Sequence, residues 1–144
     1  MNKLIYIVLM ISCAACKIEP KPIDYGLDSC AYCSMNIMDA QHAAEIVTEK
    51  GKVFKFDAIE CMLNDKTIEE EEVALFLVMD FKEPNTFLDA TESVYLISEN
   101  IPSPMGANLS AFKNTSNLDS ILITKGGKTF TWSELKKLNL IVIQ

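Results

Sequence analysis

Two thiols and a thioether fall within six positions in Cys30-Ala31-Tyr32-Cys33-Ser34-Met35. Soft sulfur donors of this kind select Cu(I) over hard cations such as Mg²⁺ or Ca²⁺. The backbone decides which donors meet. In an extended segment alternate side chains share a face, so Cys33 and Met35 converge while Cys30 points elsewhere. In a turn, Cys30 and Cys33 become the neighbours, which favours a disulfide or a redox pair. The sequence leaves both conformations open. A redox site of the thioredoxin type needs C-x-x-C at the start of a helix after a central strand, and Gly26-Leu27-Asp28-Ser29 is not such a strand. A closed zinc site needs four ligands, and outside the motif only the unpaired Cys61 and His42 remain to supply them.

The other candidates are weaker one by one. His42 is the single histidine; its imidazole suits copper and could join a site or tune it with pH. Cys61, beside Met62 on the inner side of an expected helix, reads as a buried structural thiol. Met105 alone reads as a core methionine, because thioether side chains fill irregular gaps. Asp57 and Glu60 resemble an acid/base pair, but as N-cap and N3 of a capping box both are explained. No Ser-His-Asp set or phosphate-cradling glycine loop is present, so the chain does not read as an enzyme. Its net charge of −7 excludes a nucleic-acid partner, which would need concentrated Lys and Arg.

A chain of 144 residues with 49% apolar content fits one compact domain or two small halves sharing a core. Residues 43–56 read as a hairpin turning at 49–52, with Phe54 and Phe56 on one face. A short helix capped by Asp57 should follow and bury Ile59, Met62 and Leu63. The acidic run 69–72 reads as solvated loop, 73–79 as a strand, 80–89 as a connection and 93–98 as another strand. Pro102, Pro104 and Gly106 precede a further strand-like stretch ending at 112. Leu118, Ile121 and Leu122 have helical spacing, and Gly126-Gly127 ends that helix. Thr131-Trp132-Ser133-Glu134 is a second capping box, opening a helix that would bury Leu135 and Leu138. The expectation is an α+β protein of two similarly ordered halves (strand hairpin, helix, strand) at about 27–90 and 91–144.

The N-terminus speaks to compartment. Lys3, the apolar run 4–11 and the small residues 12–16 are the three regions of an export signal. The run is too short to cross a bilayer as a mature helix. It ends at cysteine, followed by Pro20 and Pro22 in an extended stretch. Residues 1–16 are thus expected to be a lipoprotein signal with Cys16 lipidated, or alternatively Cys13, and residues 17–26 a tether. The mature domain at 27–144 would then be held at a membrane, on the outer membrane facing the periplasm.

The order of Cys30 to Met35, His42-Ala43-Ala44, Phe56-Asp57 leading to Cys61-Met62, and Pro104-Met105-Gly106 resembles the NosL family of copper-binding lipoproteins. Ser34 departs from that pattern, which usually has glycine there. The resemblance implies a fold similar to the organomercurial lyase domain and a Cu(I) site of Cys33, Met35 and Met105, with Cys30 and His42 as possible additions. It further implies delivery of copper to apo nitrous oxide reductase, with a copper-donating membrane transporter as a possible second partner. The competing expectation is a thiol-disulfide redox protein using Cys30 and Cys33.

Overall fold

The computed structural model describes residues 17–138 and 140. The expected export signal, with Cys13 and Cys16, lies outside the described residues. Two small antiparallel sheets build an α+β fold. The first holds β1 (Ala44–Thr48), β2 (Val53–Phe56), β3 (Val73–Met79) and β4 (Phe87–Asp89) in the order β2-β1-β3-β4. The second holds β5 (Val94–Ile97), β6 (Leu109–Phe112) and β7 (Lys128–Thr131) in the order β6-β5-β7. Helix α1 (Ile59–Asn64) follows the hairpin β1-β2, and α2 (Thr115–Lys125) follows the hairpin β5-β6. Each half is therefore a hairpin, a helix and a strand that returns to the other side of the first strand. A short helix α3 (Trp132–Leu135) follows β7.

One core spans both halves. It joins Ile46, Phe56, Ile59 and Val78 from the first to Tyr95, Leu109, Ala111 and Leu135 from the second. The sheets also touch through backbone: Asp80 bridges Ala111, and the Phe81 N–H donates to the Ala111 carbonyl at 2.9 Å. Trp132 lies against Tyr95 and Phe76, with ring centroids 6.2 and 5.4 Å away, so α3 is anchored by aromatic contact with both sheets.

Several local expectations appear in place. The hairpin β1-β2 turns at 49–52, Gly126 caps α2, and Thr131 and Glu134 form the reciprocal bonds of a capping box. The first capping box does not form. The N-cap of α1 is Ala58, one residue later than expected, which puts Glu60 at N2, too early to reach back to the cap. Asp57 instead accepts from the Met38 N–H at 3.4 Å, and Glu60 is fully buried. Leu138 is 39% exposed, because α3 stops at Leu135 and the helical period ends with it. Strand β4 falls within the stretch read as a connection, and β7 is the closing strand of the second half, to which the sequence reading assigned no residues.

The stretch read as a tether lies partly on the domain. The Lys21 N–H donates to Glu45 Oε1 at 2.9 Å, Lys55 Nζ donates to the Pro22 carbonyl at 2.7 Å, and Ile23 is buried in the core. The Gly26 N–H then donates to the Ile37 carbonyl, starting the small loop that carries the cysteine motif.

Candidate metal centre

The motif folds as a turn, not as an extended segment. Ser29 bridges Asn36, the Cys30 N–H donates to the Met35 carbonyl at 2.8 Å, and the Ser34 N–H returns to the Cys30 carbonyl at 3.0 Å. Closing so tight a loop forces Ser34 into the left-handed region at φ 63°. That conformation favours glycine, which gives a physical reason for glycine in the family pattern at this position. The loop is docked on β2 by the Ala31 N–H, which donates to the Lys55 carbonyl at 2.8 Å.

The turn brings Cys30 and Cys33 together, and α1 adds a third thiol. The Sγ atoms of Cys30, Cys33 and Cys61 all lie within 4.8 Å of one another, and none is in a disulfide. Cys30 and Cys61 are buried while Cys33 is partly exposed, so the cluster has one accessible sulfur. Sequence reasoning placed Cys61 inside the fold but gave it no part in the site. The signal that could have drawn it in was the Cys61-Met62 pair, and only the packing of α1 against the loop gives that pair a meaning.

The three thiols are electrostatically unequal. The Cys61 thiol donates to Cys30 and, with the backbone N–H groups of Cys33, Asp57 and Tyr32, outweighs burial to bring Cys30 down to about 5. Giving up that proton is correspondingly hard for Cys61, which is pushed up first by its bond to Cys30, then by burial and by the negative charge beside it. Burial is the main cause that raises Cys33. The metal-free cluster at neutral pH is therefore one thiolate stabilised by neighbouring donors. Such a group is a ready ligand for a soft ion and a ready nucleophile toward a disulfide.

Met35, Met105 and His42 have different surroundings. Met35 sits on the same loop and is 54% exposed. Met105 is buried in the same core that holds Cys30, Cys61 and Met62. Its loop turns at Gly106, where φ is 83°, and is pinned to α1: Glu60 Oε1 accepts from the Ser103 hydroxyl and from the Ala107 N–H at 3.3 Å. His42 is buried, with Nδ1 2.9 Å from Asp39 Oδ2 and Nε2 3.2 Å from Ser110 Oγ. Both ring nitrogens are thus engaged, and among the His, Cys, Asp and Glu side chains of the described residues the three cysteines gather closely enough to share a metal, without His42.

No curated protein sequence matches the chain. Among solved structures it is similar to the crystal structure of the copper chaperone NosL from Shewanella denitrificans, at 20% identity and a TM-score of 0.71, over 84% of this chain and 98% of that one. At that identity the likeness speaks for the fold. The sequence family is decided separately: the NosL model matches residues 23–140, nearly the whole described domain, and the chain belongs to the NosL family.

Proposed function

We propose that this chain is a copper-binding chaperone that carries Cu(I) on sulfur ligands and passes it on without chemistry of its own. The observation that carries the reading is the cluster of three cysteine sulfurs within 4.8 Å, two buried and one reachable from outside. Thiolate donors hold a soft monovalent ion, and an accessible member lets an incoming ligand begin the exchange. The copper chaperone named for the similar structure supports the same cargo. Within this reading Cys33 is the central ligand, shared by the thiol cluster and by the set that the family resemblance implies, Cys33 with Met35 and Met105. Apo nitrous oxide reductase is the proposed recipient, and a lipid anchor at Cys16, or at Cys13, the proposed attachment to the membrane.

Competition of the reduced protein against a chromogenic Cu(I) chelator tests the proposal. One equivalent of Cu(I) should be retained by the parent and lost to the chelator by Cys33→Ser. Retention unchanged in both Cys30→Ser and Cys33→Ser would remove it. A thiol-disulfide redox role is the second reading, favoured by the Cys30 thiolate lying beside two thiols. A redox titration that finds a reversible two-electron couple among known oxidoreductase potentials would favour it over a carrier.

A further inference from the structure

We infer that Cys61 is a metal ligand and that the cargo ion rests on three thiolates, Cys30, Cys33 and Cys61, with Cys33 as the one that exchanges. The inference rests on the copper reading for the identity of the ion, but its geometry stands independently. Sulfurs bound at about 2.3 Å to a common trigonal centre lie about 4 Å from one another. That separation falls inside the 4.8 Å within which the three atoms already sit. A disulfide would instead need two of them at about 2 Å.

The three donors come from two elements that are fixed to each other. Cys30 and Cys33 belong to the turn held on β2, and Cys61 sits in the first turn of α1 with no exposed surface. The loop is tied to the start of that helix as well, since Asp57 accepts from the Met38 N–H. The fold thus brings the third thiol to the motif before any ion arrives, and little ordering is left to do on binding. By contrast, Met35 is an exposed residue of the loop, and Met105 is packed among core side chains.

Burial orders the exchange. Cys30 and Cys61 are only 2% and 0% exposed, so an acceptor's sulfur can reach the ion only from the side of Cys33. It would bind there, displace Cys33 and leave the ion shared with the two inner thiolates until they release it in turn. The ion's oxidation state does not change, and the emptied cluster takes back two protons, which leaves it with the single thiolate of the metal-free state.

The test is X-ray absorption on the reduced, Cu(I)-loaded full chain, with Met35→Leu, Met105→Leu and Cys61→Ser beside the parent. Three sulfur neighbours in the parent and in both methionine variants, and fewer in Cys61→Ser, is the expected result. Cys61→Ser should also lose Cu(I) affinity by more than about a hundredfold, beyond the 10–100-fold typical of a residue that only supports a ligand. A parent sulfur count that drops in either methionine variant would overturn the inference, and that arm holds even if Cys61→Ser does not fold. Loading with Cd(II) alone separates the two claims. Three-thiolate absorption with Cd(II) and no retention of Cu(I) would sink the copper reading and leave the ligand assignment standing.

Discussion

Glu60 Oε1 accepts a hydrogen bond from the Ser103 hydroxyl, joining the helix that carries Cys61 to the loop that carries Met105. The same oxygen takes the Ala107 N–H at 3.3 Å, and Ser103 Oγ in turn accepts from the Asn108 N–H at 2.8 Å. A buried carboxyl group thus ties the two halves together beside the sulfur cluster. Removing it leaves a buried hydroxyl and a backbone N–H without their partner, each a recognised source of large mutational effects. Glu60→Ala should lower the free energy of unfolding by about 2–3 kcal/mol in urea denaturation. Ser103→Ala combined with it should cost clearly less than the two single changes added together. Additive costs would mean the two side chains stabilise the fold independently.

Glu45 offers a pH-dependent test of the first sheet. It is fully buried on β1, and desolvation raises its carboxyl to about 7 even though Oε1 accepts from the Lys21 N–H. A carboxyl whose folded value lies above its unfolded one favours the protonated fold. The stabilisation is complete below about 4.5 and disappears as the pH rises through about 7. The full shift corresponds to about 3 kcal/mol at most. The parent should therefore lose denaturant resistance between pH 5 and pH 8, whereas Glu45→Gln, which keeps an acceptor for Lys21, should lose much less. Parallel pH profiles for the two proteins would show that Glu45 ionises in the fold without cost.

The sequence revealed most where the signal is local. The hairpin β1-β2 has its turn residues, β3 is a continuous apolar run, and the Thr131 box lies where its spacing puts it. Strands β4 and β7 were not located because both are short sheet edges of three and four residues, with no fully buried face to create alternation. The box at Asp57 failed by a single residue, since the chain stays extended through Ala58 before turning. The C-x-x-C pair was legible as a soft-ligand motif, while its turn conformation was not. Cys61 could not be placed beside it from spacing alone, because 27 residues lie between Cys33 and Cys61 and only tertiary packing closes that gap.

The coupling between Cys30 and Cys61 can be read without metal. Cys30 owes its low value first to the Cys61 thiol, so withdrawing that donor must move its titration upward. Ultraviolet thiolate absorption of the reduced parent should show one group ionising at about 5. In Cys61→Ala that step should shift toward the ordinary cysteine range of about 8.5. Cys61→Ser retains a hydroxyl donor and should fall between. A Cys30 step that stays in place in Cys61→Ala would assign the stabilisation to the backbone N–H groups alone.

Ser34 tests how tightly the site's loop is wound. Its φ of 63° is a left-handed conformation that costs a residue with a Cβ about 1–2 kcal/mol. Its side chain is exposed, and its hydroxyl makes no hydrogen bond among the described residues that would offset this. Glycine relieves the strain but brings extra freedom to the unfolded chain, which cancels about half of the gain. Ser34→Gly should therefore raise the unfolding free energy by up to about 1 kcal/mol while leaving the retained metal unchanged. Ser34→Val, stiff at χ1 and poorly suited to positive φ, should destabilise by more than that and loosen the turn that holds Cys33 beside Cys30. Urea denaturation and chelator competition on both variants supply the measurement. If valine were accepted without loss of either, the turn would not be held in the left-handed form, and the route by which the loop brings its two thiols together would have to be a different one.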